Sequence, residues 1–99
     1  MREYAIIRDE IKRAGATLLA EHLSPEHFGS AYCTFEGRTG MRFRLVWDGK
    51  EGYGFLETPA KGGSWSYTQP FVSDVSNPKV GKFAELLSLA QSLTADLGS

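Results

Sequence analysis

The chain has 99 residues, enough for one domain with one core, because a domain of this length buries roughly 65% of the surface that its unfolded chain exposes. Its 11 basic and 12 acidic residues are mixed along the chain and give a formal net charge of -1, so we expect no nucleic-acid partner, which would require a basic field. Charged residues recur within the first ten positions, too soon for the apolar core of a signal peptide, and no apolar run approaches the ~20 residues of a membrane span. We therefore expect residues 1–99 to form a single globular domain of a cytoplasmic protein with no membrane partner.

The N-terminal segment carries apolar residues at helical spacing. From residue 3 to residue 23 this spacing predicts one long amphipathic helix. Gly15 lies inside the pattern and costs about 1 kcal/mol relative to Ala, so we expect a kink or a close approach there. Pro25 ends the predicted helix, because proline disfavours helical geometry in the residue before it. The apolar positions that define the helix are Tyr4, Ile7, Ile11, Ala14 and Leu18.

The next two segments alternate between apolar and polar residues, as half-buried strands do. They cover Ser30–Glu36 and residues 41–47, and the turn composition of residues 37–40 joins them into a hairpin. Pairing Glu36 with Arg42 predicts the register of both faces at once. The pairs that follow are Phe35 with Phe43, Cys33 with Leu45, Ala31 with Trp47, Thr34 with Arg44, and Tyr32 with Val46.

The second hairpin has two possible registers, because residues 48–52 contain glycine at two positions. A three-residue loop with Gly52 in the left-handed position pairs Trp47 with Phe55 and Val46 with Leu56. A loop one residue longer inverts the third strand and turns Phe55 outward. We favour the shorter loop because it places Tyr53 and Phe55 in the core, although it also aims Glu57 inward.

The remaining chain predicts an edge strand and a helix. Residues 64–72 place Trp65, Tyr67 and Phe71 on one face, and Pro70 removes a hydrogen-bond donor from that strand. Asn77 and Pro78 predict a helix start, with Gly98 as its terminator. Apolar residues at helical spacing follow: Val80, Phe83, Leu86, Leu87, Ala90, Leu93 and Leu97. The predicted fold is α+β, a two-layer sandwich of N-terminal helix, four-stranded antiparallel meander and C-terminal helix, with both helices on one sheet face.

The face of the sheet opposite the helices is the first candidate for function. Its row of apolar and basic residues predicts a contact surface for a second copy of the chain, for another protein, or for a small anionic molecule held by the two arginines. The alternative is a solvated sheet face with a few tolerated apolar residues. The candidate binding residues are Tyr32, Arg42, Arg44, Val46 and Leu56.

A second candidate is a pocket between the sheet and the helices, which would bind a small apolar or aromatic ligand. Aromatic residues would line it, although the same residues can also simply form the core. They are Trp47, Tyr53, Phe55, Trp65 and Tyr67.

Enzymatic and metal chemistry are less favoured by the sequence. The one cluster with metal-ligand residue types is Glu21, His22, Glu26 and His27, but its histidines flank a proline and do not share a helix face. Cys33 is the only cysteine and has no neighbouring base, so we expect a buried thiol rather than a nucleophile. We therefore expect no cofactor and no metal. The predicted function is a non-enzymatic interaction or inhibitor-type module acting as a homodimer; a small-molecule binder is the alternative.

Overall fold

The computed structural model describes residues 2–94. Its five strands form one antiparallel sheet in which each strand pairs with its neighbours in the chain, in the order β1 to β5. The α+β class, the two flanking helices and the antiparallel meander are therefore confirmed, with five strands in place of the predicted four. The elements are α1 (Arg2–Arg13), β1 (Thr17–Ser24), β2 (Ser30–Glu36), β3 (Arg42–Asp48), β4 (Tyr53–Pro59), a short 3-10 turn (Lys61–Gly63), β5 (Trp65–Tyr67) and α2 (Gly81–Thr94).

The core lies between the sheet and the two helices. Side chains from both helices meet the inward-facing side chains of β2 and β3 in one buried cluster. This arrangement follows from the apolar stripe of each helix, which must be covered by an apolar sheet face. The main contributors are Tyr4, Ile7 and Ile11 from α1, Cys33, Phe35, Phe43 and Leu45 from the sheet, and Phe83, Leu86 and Ala90 from α2.

The predicted helix over residues 3–23 is wrong in its second half. α1 ends at Arg13, and Gly15 has a φ angle of 109°, a conformation that glycine adopts without steric cost and that ends a helix. The segment Thr17–Ser24 is instead the edge strand β1, paired with β2. Pairing with β2 satisfies the backbone groups of both strands, and this tertiary gain outweighs the helical spacing of the apolar residues.

The hairpin of β2 and β3 has the predicted register throughout. Glu36 pairs with Arg42, and the five further pairs named above are all present. The rings of Phe35 and Phe43 stack with their centroids 5.5 Å apart in the core. The alternation of the two strands and the short turn between them are sufficient to determine this register.

The hairpin of β3 and β4 has the longer loop, so the favoured register is wrong by one residue. Val46 pairs with Phe55, and Leu45 pairs with Leu56. The side chains of β4 are therefore inverted relative to the prediction: Leu56 is buried in the core and Phe55 lies on the opposite face. Steric contact favours this register, because a Cβ atom at position 54 would lie only 2.9 Å from the Trp47 ring. Only glycine fits opposite that ring.

The inversion of β4 carries over to β5. Tyr67 pairs with Glu57, and Trp65 pairs with Pro59, so both aromatic residues lie on the face away from the helices, contrary to the prediction. Val72 takes the core position instead, where its backbone exchanges two hydrogen bonds with Gly54, at 2.7 and 2.8 Å.

The second helix begins later than predicted. The side chain of Asn77 accepts a hydrogen bond from the Lys79 amide at 2.9 Å and stabilises a turn, and α2 itself starts at Gly81. The C-terminal end of α2 packs on the turn between β2 and β3, where the Arg38 amide donates to the Thr94 carbonyl at 3.1 Å. The predicted positions Leu97 and Gly98 lie outside the described residues.

Candidate functional site

We use the name outer face for the surface of the sheet opposite α1 and α2. Alternation within each strand places on it the residues that do not enter the core. Both helices pack on the other side, so only the side chains of the strands and of the segment after β5 cover this surface. Its central residues are Tyr32, Arg44, Val46, Phe55, Glu57, Trp65 and Tyr67.

An aromatic cluster occupies one half of the outer face. It consists of Tyr53, Phe55, Tyr67 and Phe71, whose neighbouring ring centroids lie 5.1 to 6.4 Å apart. The Tyr53 and Phe71 rings stack, while Phe55 meets Phe71 and Tyr67 edge to face. Tyr67 remains 68% exposed and Phe71 39% exposed. A packed group of large rings is thus presented to solvent rather than to the core.

Arg44 lies beside this cluster and is held from several sides. Its Nε and Nη2 atoms donate hydrogen bonds to one oxygen of Glu57, at 3.0 and 2.6 Å. The guanidinium carbon lies 4.3 Å from the Trp65 ring centroid and 5.3 Å from that of Tyr32, within the range of cation–π attraction. Arg44 therefore has its charge balanced within the chain, which weakens the interpretation of this residue as an anion ligand.

A shallow depression of about 500 Å³ opens at the end of the outer face where β1 and β3 finish. Its lining combines apolar and aromatic side chains with polar ones. The His22 ring stacks on Tyr32 with centroids 5.3 Å apart and forms one wall. Its lining residues include His22, His27, Tyr32, Val46, Asp48 and Phe55.

Comparison with protein-family models, with curated proteins and with solved structures finds no match to this chain.

Of the residues predicted to bind on this face, three lie together and two do not. Tyr32, Arg44 and Val46 are neighbours on β2 and β3. Arg42 lies near the turn at the far end of the hairpin, 3.6 Å from Glu36. Leu56 is fully buried in the core, so its assignment to this face is wrong, and Phe55 occupies the corresponding outward position. The longer-loop register was the signal that could have revealed Phe55.

The predicted pocket between the sheet and the helices is not formed by its proposed residues. Trp47 faces the core and is buried, as expected. The other four residues, Tyr53, Phe55, Trp65 and Tyr67, lie on the outer face because β4 and β5 are inverted. The sequence therefore assigned four of the five aromatic residues to the wrong side of the sheet.

In the described part of the chain, the metal-ligand residue types and Cys33 form no reactive site. Across residues 2–94, no group of three or more His, Cys, Asp or Glu side chains is arranged to hold a metal ion. Within the same range, neither helix has both the length and the apolar character that crossing a membrane requires. Cys33 is fully buried, and burial raises the pKa of its thiol to about 11, so the reactive thiolate is disfavoured.

A polar network that the sequence did not reveal joins α1 to β1 on the helix side. The Tyr4 hydroxyl donates to Glu21 Oε2 at 2.5 Å, and Arg8 Nη1 donates to the same oxygen at 2.8 Å. These two donors lower the pKa of the Glu21 carboxyl. The network fixes the helix against the edge strand and contributes no group to the outer face.

Proposed function

We propose that the protein is a non-enzymatic protein-interaction module that acts as a homodimer through its outer face. The observation that carries this proposal is the aromatic cluster of Tyr53, Phe55, Tyr67 and Phe71 on the side of the sheet that α1 and α2 leave open. Tyr67 and Phe71 are exposed there, and Tyr53 and Phe55 are half-buried. Scattered exposed apolar residues are normal, but a contiguous aromatic patch marks an interaction surface. Aromatic residues are also the type most enriched in protein interfaces.

The charges of the outer face favour an identical partner. Arg44 is paired with Glu57, and Arg42 lies near Glu36, so the basic residues are each accompanied by a carboxylate of the same chain. A second copy therefore meets little electrostatic repulsion when the same surface approaches it about a two-fold axis. This internal pairing also argues against the small anionic ligand considered from the sequence.

The homodimer is tested by measuring molar mass with light scattering over a range of protein concentrations. We expect a dimer that dissociates on dilution, and we expect Tyr67→Lys to weaken it at least tenfold, because the change puts a charge into the aromatic cluster. Tyr67 is largely exposed, so the variant should fold normally. The matched control is Met41→Lys, which changes an exposed apolar residue in the β2–β3 turn and should leave the dimer intact. A wild-type protein that stays monomeric at every concentration contradicts the proposal.

The depression favours a second candidate function, a small-molecule binder. Its volume of about 500 Å³ lies within the usual range for ligand sites, and its lining includes Tyr32, Val46 and Phe55. A planar aromatic compound would fit this surface and would raise the melting temperature by mass action. A thermal-shift screen of aromatic compounds against the protein tests this function; a screen without a shift counts against it.

A further inference from the structure

Phe28, in the turn between β1 and β2, combines two unfavourable features. Its side chain is 69% exposed, the largest exposure among the big apolar residues that the structure describes. Its φ angle is 59°, in the left-handed region that residues other than glycine, asparagine and aspartate rarely enter. Folding alone does not account for a large apolar ring held in a strained conformation in water, and such outliers concentrate at functional sites.

The turn that carries Phe28 is fixed to the rest of the fold. The Gly49 amide donates a hydrogen bond to the Ser30 hydroxyl at 3.0 Å. The backbone of Phe28 packs so closely on Gly49 that a Cβ there would lie 2.0 Å from the Phe28 carbonyl oxygen. Lys50 Nζ lies 5.8 Å from the centre of the Phe28 ring. The ring is therefore presented on a constrained turn, which reduces the entropy lost when a partner binds it.

The depression of the outer face lies directly beside this turn. His27 precedes Phe28 and lines the depression, and Asp48 precedes Gly49 and lines it as well. Phe28 itself is not among the lining residues of the depression in its own chain. One end of the molecule thus presents an exposed aromatic ring next to a cavity lined in part by apolar side chains.

We propose that Phe28 of each copy inserts into the depression of the other copy and anchors the homodimer. This inference rests on the proposed function and names the residue on which the assembly depends. An exposed ring next to a cavity at one end of the molecule suits a two-fold interface, because each subunit must supply both halves of the contact. Large aromatic side chains that fill pockets are also the typical anchors of protein interfaces.

Charge complementarity favours a second copy over an unrelated protein. Lys50 accompanies the Phe28 ring, and Asp48 lies in the depression. When Phe28 enters the depression of a second copy, its Lys50 is carried toward that copy's Asp48. The pairing is reciprocal, so each interface contains it twice.

The test is Phe28→Asn, because asparagine accepts the left-handed conformation but removes the ring. We expect the dissociation constant of the dimer to rise at least tenfold, while the stability of the monomer, measured at a concentration where the dimer is dissociated, stays unchanged or increases. Met41→Asn is the matched control, since it removes an exposed apolar side chain elsewhere and should leave the dissociation constant unchanged.

The outcomes separate this inference from the proposed function. If Tyr67→Lys dissociates the dimer and Phe28→Asn does not, the anchor is wrong and the outer-face homodimer stands. If Phe28→Asn destabilises the monomer, the ring packs on its own chain and the anchor is again wrong. A wild-type monomer overturns both proposals. Replacing Phe28 by the photo-crosslinker benzoylphenylalanine should join two chains through the peptide that contains Tyr32; a crosslink within one chain contradicts the inference.

Discussion

Arg44 and Glu57 are directly paired across β3 and β4, with two guanidinium hydrogen bonds converging on one carboxylate oxygen. The exposed fractions of their side chains are 25% and 17%, so the pair is shielded from water on a face that otherwise opens to it. The same two residues would have been on opposite faces in the shorter-loop register, with the Glu57 carboxylate buried among apolar groups. The ion pair therefore stabilises the longer loop as well as the outer face.

Glu57→Gln should lower the free energy of unfolding by about 1 to 2 kcal/mol, because it leaves a half-buried guanidinium without its counter-charge. The measurement is urea denaturation of the monomer. Glu36→Gln is the matched control: its partner Arg42 is exposed and 3.6 Å away, so we expect a change within about 0.5 kcal/mol. Equal losses in the two variants would contradict a special role for the shielded pair.

Gly49→Ala should cost about 3 kcal/mol of stability, since the added Cβ would meet the Phe28 carbonyl oxygen at 2.0 Å and the backbone has to move. The comparison variant is Gly40→Ala, where φ is 83° and the Cβ has open space, so only the conformational cost of about 1 kcal/mol applies. Thermal unfolding of both variants distinguishes a close approach from simple backbone strain. A Gly49→Ala variant as stable as Gly40→Ala would show that the turn carrying Phe28 is loosely held.

The Glu21 network gives a pH dependence with a defined sign. Hydrogen bonds from Tyr4 and Arg8 lower the pKa of Glu21 from its usual value of 4.5, so the unfolded chain binds this proton more readily than the folded one. The stabilisation is therefore complete above pH 4.5 and is lost as the pH falls through the lowered pKa. We expect the free energy of unfolding of the wild type to decrease more steeply in that acidic range than that of Glu21→Gln. Parallel pH profiles for the two proteins would show that Glu21 is not linked to folding.

The sequence was sufficient for the β2–β3 hairpin and insufficient for the β3–β4 hairpin, for a physical reason. In the first, strict alternation and a single short turn leave one register. In the second, residues 48–52 are compatible with loops of three or four residues, and the choice depends on side-chain contacts between the two strands. The Trp47 ring requires Gly54 beside it, and Arg44 requires Glu57 across the strand. Neither the β-propensity of these residues nor the periodicity of their hydrophobicity reveals these two contacts.

The segment Thr17–Ser24, predicted as helix, shows a second reason why a sequence pattern can miss a strand. As the edge strand, β1 is exposed along most of its length, so it lacks the alternation of buried and exposed residues that identifies a strand. An irregularity between Leu18 and Ala20 also shifts the pairing register of β1, so its side chains do not keep a strict two-residue period. The wrong register of β4 also affected the predicted site. Tyr32, Arg44 and Val46 lie on the outer face as predicted, whereas Phe55 lies on the outer face and Leu56 in the core, the reverse of the prediction.

The sequential strand order has a consequence for synthesis of the protein. Each strand pairs with the strand made just before it, so the hairpins can form as the chain leaves the ribosome, without waiting for distant segments. α2 follows the five strands along the chain, and its side chains complete the apolar side of the sheet. Until Thr94 has emerged and closed on the turn at Arg38, the growing chain carries an incompletely covered apolar surface. That interval is when we expect the nascent protein to depend most on chaperones.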